Sequence, residues 1–316
     1  MPYTALLSAL SSLPLDGYTS DQREALGTLY EYIEEPSPYA LFLLTGYAGT
    51  GKTFLLRTIA DLAQRAGLRV ELMASTGRAA KVLSASTGRP ASTIHRTIYR
   101  ASTQMQEEGG SFQLGRVSGE TPTLFIVDEA SMISGDTGEM TPFGSGNLLD
   151  DLLSYVWSAD EAKLIFVGDT AQLPPVGTPL SDALNAEVLT SRYGLHVYGM
   201  ELREVVRQKR GGILHNATQL RELLDEYADE DPEEILPIHL ETEGWRGIFP
   251  VEGGTFIETL DEAYRKYGEE ECLVICPSNK LALECNHAIR SSVLFYEEEP
   301  VVRGERLIVA RNNYHY

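Results

Sequence analysis

Gly46-Tyr47-Ala48-Gly49-Thr50-Gly51-Lys52-Thr53 stands between an apolar run, Tyr39 to Leu44, and a segment with apolar residues at Leu55, Leu56, Ile59, Leu62 and Ala63. The run reads as a buried strand, and the spacing that follows it is helical. A glycine-rich loop that passes from strand to helix and ends in Lys-Thr fits the phosphate-binding pattern. Its glycines let backbone N–H groups close around phosphate oxygens, and the helix N-terminus adds its positive end. On this reading Gly46, Ala48, Gly49, Thr50, Gly51, Lys52 and Thr53 surround ATP, with Lys52 reaching the β and γ phosphates and the Thr53 hydroxyl ligating Mg2+. The alternative is a glycine-rich turn that only starts a helix.

Ala66-Gly67 ends that helix, Leu68 to Ala74 reads as the next strand, and two further apolar runs follow at Leu124 to Val127 and Leu164 to Val167. Strands alternating with helices imply an α/β fold, a mainly parallel sheet covered on both faces. Asp128 and Glu129 close the third strand, so both carboxylates emerge at the carboxyl edge of the sheet, where such folds bind ligands. Asp128 suits a metal held through water, and Glu129 suits a base that orients and deprotonates the attacking water. An ordinary acidic turn is the rival reading of the pair.

Charge bears on the partner. The chain has 316 residues and a net charge of −20, which by itself disfavours nucleic acid. Residues 45 to 106 nevertheless hold nine basic side chains against Asp61 and Glu71, whereas 222 to 271 hold 17 acidic against three basic. One segment can face phosphates and the other is a solvated acidic surface. Only six of the 26 basic residues are Lys, a balance expected of a protein from a salty cytoplasm. The apolar stretch Leu6 to Leu13 has no basic residue ahead of it and is too short to span a bilayer, so a cytoplasmic protein is expected. Cys272, Cys276 and Cys285 fit neither a disulfide framework nor a four-thiolate metal site and read as buried small apolar side chains.

Gly168-Asp169-Thr170-Ala171-Gln172-Leu173-Pro174-Pro175-Val176-Gly177 follows the Leu164 to Val167 strand. The run resembles motif III of the superfamily 1B DNA helicases, the RecD-like and Dda-like group. The resemblance implies two RecA-like domains that open and close around ATP while translocating 5′ to 3′ on single-stranded DNA. It makes Gln172 a γ-phosphate sensor. Tyr18 to Ala25 is similar to the family's N-terminal glutamine motif, implying that Gln22 reads the adenine edge, although a helix cap at Thr19 or Ser20 explains the same residues. Glu201 to Gln208 resembles motif IV, which makes Arg207 an arginine finger onto the γ-phosphate, with an ion pair to Glu204 as its rival.

Ala74 to Lys81 resembles motif Ia, and Ser92 to Arg96 the adjoining Thr-Ile-His motif. The resemblance implies DNA contacts from Ser75, Thr76, Arg78, Lys81, Thr93, His95 and Arg96, all inside the basic segment. A solvated helix face remains open for Arg78 and Lys81, and a core position for His95. Residues 1–200 are then the first RecA-like domain, with a small hairpin inserted near 104–122 whose one aromatic is Phe112. Residues 201–316 are a partial second RecA-like domain, with strands at Leu273 to Cys276 and Arg306 to Ala310. The family's SH3-like insert and motifs V and VI find no counterpart, so a truncated form is expected, with DNA repair or recombination proteins as possible partners. The segment Ser134 to Gly146 matches no motif. Two further readings keep the P-loop but not the motor: a nucleotide-dependent switch that binds a protein partner, and a small-molecule kinase, for which no acceptor-binding motif is evident.

Overall fold

The computed structural model describes residues 3–101, 112–133, 135, 143–175, 178, 180–206, 211–227, 237–294, 301–305 and 307. Two compact units divide between Lys209 and Arg210. In chain order the first contains α1 (Thr4–Ser11), α2 (Ser20–Glu34), β1 (Ala40–Gly46), α3 (Lys52–Arg65), β2 (Arg69–Ala74), α4 (Gly77–Thr87), β3 (Ala91–Thr93) and α5 (Ile94–Ile98). It continues with β4 (Tyr99–Ala101), β5 (Phe112–Leu114), β6 (Thr123–Asp128), α6 (Leu148–Val156), β7 (Ala162–Gly168), α7 (Ala186–Ser191) and β8 (His196–Leu202).

The main sheet has six strands in the order β3-β2-β6-β7-β1-β8. Every pairing in it is parallel. Alternate residues of each central strand pack on opposite faces, as a twice-covered strand requires. Phe42, Leu44, Ile126, Ile165 and Val167 join α1, α2 and α3 in one core. Leu41, Leu43, Phe125, Val127, Leu164 and Phe166 join α5, α6 and α7 in the other. The helical spacing expected after the phosphate loop is realised in α3, where Leu55, Leu56, Ile59, Leu62 and Ala63 are buried. Gly67 then turns the chain with φ 84°.

The sequence places a domain division at 200/201, whereas β8 carries Glu201 and Leu202 within the sheet, paired with β1 along its whole length. The half-exposed, glycine-interrupted run HVYGMEL lacks the unbroken apolar character of the central strands, so it does not announce itself as sheet. β4 and β5 pair antiparallel with Tyr99 opposite Leu114; of these two strands only β5 falls within the 104–122 range of the expected hairpin, and residues 102–111 lie outside the described residues.

The second unit contains α8 (Gly212–Glu226), α9 (Phe256–Tyr267) and α10 (Asn279–Ser292). Its small core gathers Leu260, Ile289 and Val293, with Val274 against them. The expected strand Leu273 to Cys276 forms no ladder among the described residues: it alternates in exposure, but Leu273 and Ile275 remain 74% and 88% exposed because no described strand lies beside it to pair with it. The strand expected at 306–310 lies, but for residue 307, outside the described residues. The cysteines are half-buried rather than buried, and the Cys276 and Cys285 sulfurs lie 3.8 Å apart.

Tyr32 ties the α2 layer to the sheet. Its fully buried hydroxyl donates to the Leu164 carbonyl (2.8 Å) and accepts from the Leu164 N–H (2.6 Å). Tyr32→Phe should therefore lower stability by about 1–3 kcal/mol, since buried polar groups lose a partner at little change in volume. Urea unfolding followed by far-UV dichroism measures this, and an unchanged midpoint would show that the hydroxyl contributes nothing.

Candidate nucleotide site and its neighbouring edge

The sheet order brings three motif-bearing strands together, because β6, β7 and β1 are neighbours and all end on the same edge. The loop after β1 supplies Gly46 to Thr53, the end of β6 supplies Asp128 and Glu129, and the loop after β7 supplies Asp169 and Gln172. They enclose a hollow of about 520 Å3 lined by Gln22, Ala48, Gly49, Gly51, Lys52, Thr53, Asp128, Glu129 and Gln172 among others. Gly46 and Thr50 are not in that lining: Gly46 passes against Leu202, and the Thr50 hydroxyl donates to the Tyr47 carbonyl (2.8 Å). Gly51 caps α3 with φ 93°, a conformation that favours glycine, and a Cβ there would displace the Gln22 amide.

Lys52 lies folded back into its own loop. Its ammonium donates to the Gly46 and Tyr47 carbonyls and sits 3.9 Å from the buried carboxylate of Asp169. Asp169 in turn accepts from the Ala171 N–H (3.0 Å) and so shapes the turn that carries Gln172. The Ser131 hydroxyl reaches the Gln172 side-chain oxygen at 3.4 Å, joining the loops after β6 and β7. Asp169 and Ser131 are absent from the site residues read from sequence, although Asp169 stands within the motif III run.

Glu129 is the sole non-glycine with positive φ among the described residues (54°). A left-handed backbone costs a side-chain-bearing residue roughly 1–2 kcal/mol, and such strain concentrates at functional sites. Asp128, whose Oδ1 accepts the Glu129 N–H (3.0 Å), is pushed up to about 6 by burial and then by the adjacent Glu129 carboxylate, with Lys52 pulling the other way.

Gln22 is 3% exposed and completes a capping box with Thr19, accepting from the Thr19 N–H (3.2 Å) while donating to the Thr50 carbonyl (3.1 Å). The cap therefore accounts for part of the motif. One amide N–H and one lone pair of Gln22 remain beyond these bonds. Arg207 lies outside the described residues.

The residues expected at DNA follow β2 and β3, farther along the same edge. Thr76 and Thr93 are N-caps of α4 and α5, accepting from the Ala79 N–H (3.1 Å) and the Arg96 N–H (3.2 Å). Ser75 has a buried hydroxyl with no partner among the described residues. Arg78, Lys81 and Arg96 are exposed. A second hollow, of about 330 Å3, is lined by Thr76 and Arg78 and also by Thr53, Asp128, Glu129 and Gln172, so the two groups of motifs are contiguous.

His95 belongs to an aromatic cluster. Phe143 meets His95 edge-on at 5.1 Å, stacks on Phe112 at 4.7 Å and lies 5.3 Å from Tyr99. Burial holds the His95 imidazole below its usual range. Behind the cluster the buried Asp151 accepts from the Tyr99 hydroxyl (2.7 Å) and the Ser145 N–H (2.9 Å). Phe112 thus packs at the β4–β5 pair, and Phe143, from the end of the motif-free segment 134–146, is packed against it. No sequence pattern flags that contact.

Residues 17–236 match the AAA domain family. The chain belongs to that family, and its motifs and relatives place it with the superfamily 1B helicases. It is 33% identical over 214 residues to the ATP-dependent RecD2 DNA helicase of Deinococcus radiodurans, across 65% of this chain and 27% of that protein. It is 27% identical over 313 residues to the ATP-dependent DNA helicase dda of phage T4, across 94% of this chain and 62% of that protein. The chain thus spans about a quarter of the first relative and under two thirds of the second. Among solved structures it is similar to Pif1 of Bacteroides sp. (TM-score 0.44, 18% identity, 87% of this chain and 56% of that one).

Because the carboxyl of Asp128 is raised, its ionisation in the folded chain carries a cost that is absent below its ordinary value of 3.8 and complete above about 6. Asp128→Asn should accordingly be more stable than wild type at pH 8 by roughly 3 kcal/mol, with the difference vanishing near pH 3. Urea midpoints in EDTA at both pH values check the sign; a variant less stable at pH 8 would contradict it.

Proposed function

We propose that this chain is the nucleotide-binding part of an ATP-dependent 5′-to-3′ DNA helicase or single-strand translocase, in which ATP hydrolysis is coupled to single-stranded DNA. The observation that carries the reading is the convergence of Lys52, Thr53, Asp128, Glu129 and Gln172 on one hollow, with Glu129 held in a left-handed conformation.

Lys52 exchanges the loop carbonyls for β and γ phosphate oxygens, which are stronger acceptors for an ammonium. Gly49, Gly51 and their neighbours offer backbone N–H groups to the same phosphates. Thr53 and Asp128 offer hard oxygens, and the raised carboxyl of Asp128 fits a cation site, because a nearby dication favours the ionised form. When bound there, Mg2+ neutralises charge developing on the phosphoryl oxygens. Glu129 orients the attacking water and accepts its proton. Gln172 senses the γ-phosphate and relays its presence through Ser131 and Asp169. Arg207 supplies the arginine finger. Ser75, Thr76, Arg78, Lys81, Thr93, His95 and Arg96 contact the single strand along the adjoining edge, the hydroxyls of Thr76 and Thr93 acting chiefly by fixing the backbones that present N–H groups to phosphates.

Steady-state ATP hydrolysis with and without a single-stranded oligonucleotide tests this reading. DNA should stimulate turnover, Glu129→Gln should bind ATP as wild type does yet lose turnover by at least about a hundredfold, and Lys52→Ala should lose binding. Unstimulated turnover with intact ATP binding would favour a nucleotide-dependent switch, and equal ATP affinity of Lys52→Ala and wild type would remove the phosphate-loop assignment. Removing Lys81 and Arg96 together should lower the slope of log DNA affinity against log salt by roughly 1.4, at ~0.7 per phosphate contact. An unaltered slope in fluorescence-anisotropy titrations would place those side chains away from the strand.

A further inference from the structure

At the opposite edge of the sheet, where β1 and β7 begin, lies a hollow of about 550 Å3 unrelated to the nucleotide. Its floor is apolar, with Tyr3, Leu7 and Ile33, and its rim carries Glu34, Asp160 and Glu161, all exposed. The one lysine in it, Lys163, is buried with its ammonium donating to the carbonyls of Tyr32 (3.0 Å) and Glu35 (2.6 Å), so it is held below the rim. Glu35 accepts from the Ser37 N–H (2.9 Å) and the Tyr198 hydroxyl (2.9 Å), which keeps it ionised. The rim presented to solvent is therefore negative.

Two aromatic side chains stand among these carboxylates. Tyr39 is 58% exposed, and its ring lies 5.8 Å from that of Trp157. The Trp157 indole is fixed by its N–H donating to the Pro38 carbonyl (2.8 Å). A solvated acidic surface has no need of aromatic planes, whereas carboxylates beside aromatic faces are the environment that attracts guanidinium and ammonium groups. The same Tyr39 and Trp157 also border a second hollow, of about 510 Å3, with Asp150 and Tyr193 on its wall. Arg192 there is compensated by Asp150 (3.8 Å) and Asp182 (3.7 Å).

From this arrangement we infer that the Tyr39–Trp157 ridge and the two hollows beside it are a docking track for an extended, arginine- or lysine-rich segment of a partner protein. Of the two hollows, the one rimmed by Glu34, Asp160 and Glu161 has the surplus of negative charge, since Asp150 in the other is paired with Arg192. An extended chain, whose alternate side chains leave the same face, places basic side chains in the acidic hollow while its backbone crosses the aromatic pair into the charge-compensated one. Nucleic acid is excluded by the sign of the rim. The inference does not depend on the helicase reading, since the track uses none of the nucleotide or DNA residues.

The probe is a fluorescein-labelled, end-blocked peptide alternating Ala and Arg over seven positions, titrated with the full chain at about 0.15 M salt, where exposed charges more than ~8 Å apart are screened. Saturable binding should weaken about fivefold or more in Asp160→Asn/Glu161→Gln, and by less than about twofold in the control pair Glu269→Gln/Glu271→Gln, which removes equal charge elsewhere. Tyr39→Ser, an exposed change that leaves the charge intact, should weaken it about threefold or more. No saturable binding, equal weakening by both charge pairs, or equal binding of the peptide with Gln in place of Arg would each overturn the proposal. Displacement of the peptide by spermine at equal concentration of positive charge would assign the track to small polyamines and overturn it as a protein interface.

Discussion

Everything at the candidate site depends on the parallel ladder that sets β6, β7 and β1 side by side. Parallel strands all deliver their following loops to one edge, and a sheet buried on both faces leaves that edge as the place where polar groups can collect. The order β3-β2-β6-β7-β1 then reads as a row of duties. Loops after β3 and β2 carry the residues proposed for DNA, loops after β6 and β7 carry the carboxylates and Gln172, and the loop after β1 carries Lys52. Thr53 and Thr76, 23 residues apart in sequence, line one hollow together with Asp128, Glu129 and Gln172. The shared lining of Thr53, Asp128, Glu129 and Gln172 between the two hollows is the physical form of that adjacency.

Within the row, burial and like charge work against the ionisation of Asp128. Asp128 and Glu129 are adjacent carboxylates, the first of them buried, and the cation nearest to hand, Lys52, is occupied by its own loop carbonyls and Asp169. Burial and a like charge next door thus make ionisation of Asp128 costly in the fold. The left-handed backbone at Glu129 belongs to the same pattern. The surrounding core, with Val127 and Ala130 fully buried on either side, supplies the stability that holds a strained residue in place.

Motifs whose chemistry demands particular residues at fixed offsets were legible in the sequence: the loop around Lys52, the Asp128-Glu129 pair at the end of an apolar strand, and the helix face of Leu55, Leu56 and Ile59. These are local, and periodicity or spacing suffices to find them. What escaped depends on tertiary contact. Phe143 gains meaning only when Phe112, His95 and Tyr99 are brought against it, and Asp169 only when Lys52 folds back. The hydroxyls of Thr76 and Thr93 were legible as polar groups in a basic segment but not as helix caps, because a cap and a phosphate contact ask for the same side chain at the same loop position. The edge strand β8 was missed for a related reason: covered less completely than its neighbours, it need not be apolar throughout.

The uneven charge of the chain acquires a spatial meaning once the strands have a direction. Lys52, Arg78, Lys81 and Arg96 lie just beyond the carboxyl ends of β1, β2 and β3, whereas Arg65, Arg69 and Arg89 stand where β2 and β3 begin, and Glu34, Asp160 and Glu161 gather where β1 and β7 begin. A parallel sheet has two chemically distinct edges, and here Glu34, Asp160 and Glu161 face away from the loops that carry Lys52, Arg78 and Lys81. Their repulsion of an anion is local, over distances set by the Debye length. Net charge alone, at −20, would argue that this chain avoids nucleic acid, but a total says nothing of where Lys52, Arg78 and Lys81 are placed relative to Glu34, Asp160 and Glu161.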